Sequence, residues 1–220
     1  MGVKLMDGSE VHAGAVVNCL GPWFGVLSQG VTTSTQMVPT RIQVAHMSIK
    51  EEQHLSLPFI ADSYGASGIY CMPRRANKQL VFGSVDHRFE SETVPDPDKL
   101  DTSLDAEVQA DYVSCLLHRI PSLPSRGKIM GFSSMYTINT DDVHPVIGES
   151  SVQGFFLCNG FSGHGFKLAP AVGSMVTQQI LGGNAVNGAS RLAEWQTSVP
   201  LNYLSASRAP LGVAAKTVFA

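Results

Sequence analysis

A short apolar run, Phe155-Phe156-Leu157-Cys158, bounded by Gly154 and Gly160 and followed at once by a helical pattern, constrains this chain more than any other feature. Its length and glycine flanks are those of a buried strand. Leu168, Val172, Met175, Val176, Gln179 and Ile180 then recur at the offsets of one helical face, with Pro170 expected in the first turn and Gly182-Gly183 as the stop. Between strand and helix, Gly160, Gly163 and Gly165 are interleaved with Phe161, Ser162, His164, Phe166 and Lys167. The backbone there turns sharply and offers bare N–H groups at the positive end of a helix dipole. Such a loop suits a ligand that is anionic, or that becomes anionic during a reaction.

With 220 residues and 44% hydrophobic composition the chain forms a real core, as one large domain or two small ones. A formal charge of -3 leaves no basic face for nucleic acid, and no apolar run approaches the length of a membrane span. The N-terminus lacks the basic-then-apolar layout of a signal peptide. Cys19, Cys71, Cys115 and Cys158 are widely spaced in apolar contexts, which fits inert core thiols in a reducing compartment and gives neither a disulfide framework nor metal-ligand spacing.

Along the chain, Val3 to Met6, Asp7-Gly8 and Val11 onward read as a hairpin, and Ala15 to Leu20 as a strand of a parallel sheet covered on both faces. Pro39 to Met47 alternates like a half-buried strand, with Arg41 and His46 read as solvated positions on it. Glu51 to Pro58 reads as a polar connection. Gly68 to Pro73 and Gln79 to Gly83 form a second hairpin around the polar turn Arg74 to Lys78. Thr93 to Ser103 is a loop. Leu104, Val108, Tyr112, Cys115, Leu116 and Ile120 mark a packing helix that stops at Pro121. Ser133 to Ile138 is a strand turned by Asn139 to Asp142, and Arg191 to Trp195 a short helix.

The octet Gly160-Phe161-Ser162-Gly163-His164-Gly165-Phe166-Lys167 resembles the C-terminal flavin-contacting motif of FAD-dependent amine oxidoreductases. The nearest patterns are those of sarcosine oxidases, dimethylglycine dehydrogenases, and glycine or D-amino-acid oxidases. Gly21-Pro22-Trp23 resembles the family segment that returns to the FAD sheet and touches the cofactor, and the likeness extends from about Val3 to Leu211. It implies an α/β (α+β) fold: part of a Rossmann-like FAD-binding sheet from residues 1–34 and 146–220, and a mixed-sheet substrate domain over residues 35–145. The implied reaction is oxidation of a small amine or amino acid bearing a carboxylate, by hydride transfer to FAD. The alternatives are 2-hydroxy-acid oxidation within the same superfamily, or a non-catalytic subunit. The implied compartment is the cytoplasm, or the mitochondrial matrix in a eukaryote.

The resemblance also assigns residues. Lys167 matches the lysine that binds the substrate carboxylate, against a reading as a snorkelling surface lysine. Tyr70 and Tyr136 match pocket tyrosines of sarcosine oxidases, against readings as ordinary strand or core aromatics. His164 donates to flavin or substrate, or stabilises its own loop. Ser134 stands where monomeric sarcosine oxidases carry the cysteine that tethers FAD, so the flavin is expected to be non-covalent. Val81 falls near the place of their oxygen-activating lysine, which makes a dehydrogenase with another acceptor an open alternative. The family's G-x-G-x-x-G turn, which holds the FAD pyrophosphate, occurs nowhere in the chain. The sequence therefore reads as a C-terminal portion whose dinucleotide-binding half comes from a missing segment or a partner subunit. Alone, it is expected to bind FAD weakly and to associate through the unpaired edge of Ala15 to Leu20.

Overall fold

Strand β3, Val16–Asn18, is completed by a strand far along the chain, β10, Phe155–Asn159, which runs parallel to it with Phe155 opposite Val16 and Leu157 opposite Asn18. The computed structural model describes residues 2–62, 68–84, 92–124, 127–182, 189–192, 197–200 and 202–212. It divides into two compact units, one of residues 1–39 and 136–218, the other of residues 40–135.

In the first unit, β9, Val146–Glu149, pairs antiparallel with β10 to give the sheet order β3-β10-β9. One face of this sheet packs on helix α3, Gly165–Ile180, through Val17, Ile147, Cys158, Val172 and Val176. The other buries Val146, Phe155 and Leu157 with Met37 and Ala206, and the half-buried Val16 packs against them. The central strand β10 is thus covered on both faces, as its near-continuous apolar run requires, whereas β3, at the edge of the sheet, keeps Val16 and Val17 half-buried and is less enclosed than its apolar run indicates. Helix α3 begins earlier than its apolar stripe indicates. Pro170 consequently sits in the second turn, where its missing N–H leaves the Phe166 carbonyl without its helical partner. Val172, Met175 and Val176 are buried, while Leu168 and Ile180 stay 38% and 36% exposed. The hairpin of β1, Gly2–Lys4, and β2, Glu10–His12, closes through Gly8 at φ 87°. The helix expected from Arg191 is instead strand: β11, Ala189–Leu192, pairs with β12, Thr197–Pro200. A five-residue helix gains too few hydrogen bonds to offset its nucleation cost, whereas the ladder satisfies the backbone directly. Residues 193–196 and Gly183 lie outside the described residues.

The second unit is built on a five-stranded sheet in the order β5-β6-β7-β4-β8. Its strands are β4, Met37–Ser48; β5, Ile60–Ala61; β6, Ile69–Arg74; β7, Gln79–Ser84; and β8, Ile129–Asn139, with β4 and β8 each extending into the first unit. Ala45, Met47, Ile69, Cys71, Leu80 and Phe82 line one face and pack with Tyr112 and Leu116 of helix α2, Ala106–Arg119. The connection after β4 is not merely polar loop. It carries a helical turn, α1, Glu52–Leu55, that buries His54. Arg41, read as a solvated strand residue, is only 4% exposed, because its guanidinium is enclosed by acidic side chains and carbonyls. His46 is half-buried.

Candidate active site

The loop Asn159 to His164 leaves the carboxyl end of β10 and enters α3, the position where open α/β sheets bind ligands. Its conformation is held by amides and hydroxyls that make no chemistry of their own. Asn159 is buried; its Nδ2 donates to the Gly21 carbonyl at 3.0 Å, and its Oδ1 accepts from the Gly160 N–H at 2.8 Å. One side chain therefore fastens the loop after β10 to the turn after β3.

Ser162 makes the second attachment. Its backbone adopts φ 48°, a conformation that costs a non-glycine residue about 1 kcal/mol or more. Its N–H donates to the Thr137 carbonyl at 3.0 Å, and its Oγ accepts from the Asn139 N–H at 3.0 Å and donates to the Gly160 carbonyl at 3.3 Å. Asn139 in turn donates to Thr35 Oγ1 and the His144 carbonyl. At Gly160, φ is 72°, a backbone angle that favours glycine, and an added Cβ would also meet Met37 Sδ at 3.0 Å, so that side chain would have to shift.

The result is a 16-residue helix whose start is left open. His164 occupies the cap position without a side-chain cap hydrogen bond; its backbone N–H closes a turn onto the Phe161 carbonyl at 2.8 Å. The N–H groups of Gly165, Phe166 and Lys167 lie in the first turn, where no intrahelical acceptor exists. Lys167 is exposed, and Phe166 is 98% exposed.

The first unit thus brings together Gly21, the octet Gly160 to Lys167 and, through the Thr137 carbonyl, the strand residue Tyr136, which is half-buried. Gly21 is at φ 54° and opens a 3-10 helix, Gly21–Val26, in which Pro22 fills the first turn and Trp23 is 38% exposed. Buried Asn18 holds that segment, donating from Nδ2 to the Phe24 carbonyl and to Ser28 Oγ, both at 2.9 Å. Tyr70 belongs to the second unit. There it stacks on Phe59 with ring centroids 6.3 Å apart and lies over Gly83, its cross-strand partner on β7.

A further cluster escaped the sequence reading. Asp142 is fully buried and pairs with the buried Arg208, whose Nη2 reaches Asp142 Oδ1 at 3.1 Å while its Nη1 binds Oδ2. The N–H groups of His144 and Leu211 also donate to this carboxylate, at 2.9 and 2.8 Å. Burial alone would raise the Asp142 carboxyl; Arg208 and the two backbone donors outweigh it and hold the group below its ordinary value. The signal available in sequence was the lone arginine of the apolar segment Leu204 to Leu211.

The family model described as FAD dependent oxidoreductase matches residues 1–179. The chain belongs to this family. Among curated proteins it is 29% identical over 195 residues to the bovine (Bos taurus) FAD-dependent oxidoreductase domain-containing protein 1, covering 81% of this chain and 39% of that one. It is 30% identical over 202 residues to monomeric sarcosine oxidase of Streptomyces avermitilis, covering 82% and 49%. The chain therefore spans less than half the length of these relatives. The solved L-proline dehydrogenase of P. horikoshii superposes with a TM-score of 0.69 at 21% identity, over 93% of this chain and 49% of that one, and shares its fold.

FAD, which the family implies, fits the residues present. A flavin gains negative charge at its N1–C2=O edge on reduction, and the uncapped start of α3 supplies unshared N–H donors of the complementary sign. No helix among the described residues is long and apolar enough to cross a membrane.

Proposed function

We propose that this chain supplies the flavin-facing and substrate-anchoring part of an enzyme that oxidises a small amine or amino acid bearing a carboxylate. The observation that carries the reading is the open N-terminus of α3 with an exposed lysine in its first turn. A cation there opposes the helix dipole and is unfavourable until an anion joins it. Glycine oxidase and monomeric sarcosine oxidase among the similar proteins support this substrate class.

Bound FAD supplies the two-electron acceptor that takes a hydride from the carbon beside nitrogen. The chain's own residues do the rest. The Gly165, Phe166 and Lys167 N–H groups would hold the flavin where negative charge develops on reduction, and the Lys167 ammonium would hold the substrate carboxylate. His164 donates from the cap position, and Tyr136 borders the bound substrate and excludes water. Asn159 and Ser162 fix the loop so that these donors need no reorganisation during the reaction. The G-x-G-x-x-G turn for the pyrophosphate is proposed to come from another segment or a partner subunit.

Lys167→Met in the flavin-loaded protein should weaken carboxylate-bearing substrates by about 2 kcal/mol, roughly thirtyfold in kcat/KM, the scale of one charge-assisted hydrogen bond at an exposed site. Amines without a carboxylate should be unchanged. Equal losses for both classes, measured by steady-state kinetics, would remove Lys167 from substrate binding.

The flavin is proposed to be held without a covalent bond, because Ser134 is an exposed hydroxyl that cannot form a thioether. Acid precipitation should leave the yellow colour in the supernatant. Fluorescence that migrates with the protein band on a denaturing gel would contradict this.

A further inference from the structure

Two of the four cysteines, read from sequence as separated core thiols, are neighbours in the fold. The parallel register pairs Leu157 with Asn18, and continuing it by one residue sets Cys158 opposite Cys19 at the carboxyl ends of β10 and β3. Cys158 belongs to the sheet face that carries Val17 and packs on α3, and the Cys19 side chain lies within hydrogen-bond reach of it. Neighbouring strands lie about 4.8 Å apart, inside the Cα separations that a disulfide spans. Both thiols are free, Cys19 exposed and Cys158 half-buried.

We propose that Cys19 and Cys158 form a peroxide-sensitive dithiol that closes to an intramolecular disulfide across the β3–β10 pair. The two positions differ in a way that assigns their roles. Cys19 meets solvent and is the sulfur a peroxide reaches. Burial pushes the Cys158 thiol up to about 12, and Cys19 beside it, as charge and hydrogen-bond partner, adds to the rise. Cys158 therefore stays protonated and waits as the resolving thiol.

In the first step the Cys19 thiolate attacks one oxygen of hydrogen peroxide. The O–O bond breaks, the S–O bond forms, and the departing oxygen leaves as water after protonation, giving a sulfenic acid. Cys158 then gives up its proton as its sulfur attacks Cys19 Sγ. The S–S bond forms, the S–O bond breaks, and the oxygen departs as a second water. The two thiols together lose two electrons and two protons, and the peroxide is reduced to two waters. The new bond lies one residue before Asn159 and two before Gly21, which are already joined by a hydrogen bond, so it staples the two loops of the candidate active site.

Trypsin separates all four cysteines: Cys19 falls in residues 5–41, Cys71 in 51–74, Cys115 in 100–119 and Cys158 in 129–167. The reduced full chain would be treated with equimolar hydrogen peroxide, alkylated with N-ethylmaleimide, digested and mapped by mass spectrometry. The expected product joins peptide 5–41 to peptide 129–167 within one chain, with Cys71 and Cys115 still alkylated, and Cys158→Ser should raise dimedone trapping of Cys19 sulfenic acid at least tenfold. Should Cys158→Ser fail to fold, the wild-type map decides alone. The proposal is overturned if Cys158 is recovered alkylated while Cys19 has become sulfinic acid, if Cys19 links to a second chain, or if Cys115 oxidises before Cys19.

Discussion

Arg208→Met should destabilise the chain by about 3–5 kcal/mol at neutral pH, the cost of leaving a buried charge without its partner. Asp142 is fully buried, so its carboxylate would keep only the N–H groups of His144 and Leu211 in place of a two-pronged guanidinium. The same guanidinium donates to the His144 and Pro145 carbonyls at 3.2 and 3.4 Å, which lead into β9 beside β10. The penalty should depend on pH with a definite sign. In the wild type the folded Asp142 pKa lies below its unfolded value, so the stabilisation is complete above the unfolded pKa, about 4, and is lost as pH falls through the folded value. In Arg208→Met the remaining large influence is burial, which raises the folded pKa, so the neutral carboxyl is favoured and the variant gains relative stability in acid. Urea unfolding at pH 7 and pH 4 should show the gap between wild type and variant narrowing at the lower pH. A gap independent of pH would mean that Arg208 contributes packing and carbonyl hydrogen bonds rather than charge. The pair Asp142→Leu with Arg208→Met should cost less than the two single changes added, because no charge is then stranded.

What sequence could reveal was whatever is encoded locally. The glycines of the octet predict a sharp turn into a helix because Gly160 and Gly163 need positive φ, and the structure places them there at 72° and 86°. The strand Phe155–Asn159 and the stripe of α3 follow from period and flanks. The attachments of the loop were not legible, since Asn18, Asn139 and Asn159 each follow or end an apolar run, where asparagine ordinarily signals a local turn. For Asn159, which reaches Gly21, and for Cys19 with Cys158, the partner becomes visible only when β3 is known to lie beside β10. Asn139, Asp142 with Arg208, and Arg41 find theirs through other tertiary contacts that are equally silent in sequence. The start of α3 lies earlier than the stripe indicates because its first turn is not amphipathic: Phe166 and Lys167 are exposed, and a stripe of buried residues carries no information about exposed turns.

On the second unit the largest loss is expected from Arg41→Met, about 3 kcal/mol, because one buried guanidinium organises the entry to α2. Arg41 Nη1 donates to Asp105 Oδ2 at 2.7 Å and Glu92 Oε2 at 2.9 Å; Nη2 donates to Asp105 Oδ1 at 2.9 Å and the Ser103 carbonyl at 2.7 Å; Nε reaches the Asp101 carbonyl at 3.2 Å. Asp105 precedes the first residue of α2 and exchanges two further hydrogen bonds with Gln43, its N–H donating to Oε1 and its Oδ2 accepting from Nε2, each at 2.8 Å. Arg41 and Gln43 thus lock the head of the helix onto β4. The hydrogen bonds with Asp105 hold the arginine above its ordinary pKa and the aspartate below its own. Not all of this interaction appears as stability, since the Asp105 and Glu92 side chains are 42% and 60% exposed and would regain water once the arginine is gone. The part that cannot be regained is fork geometry, the two carbonyl contacts and the packing of the buried stem. Arg41→Lys, which keeps the charge and loses the fork, should recover less than half of the loss. Chemical denaturation of both variants decides the matter: a loss below about 1 kcal/mol for Arg41→Met would show that solvent replaces the whole network, and full recovery by Arg41→Lys would show that charge, and not the fork, holds α2 to the sheet.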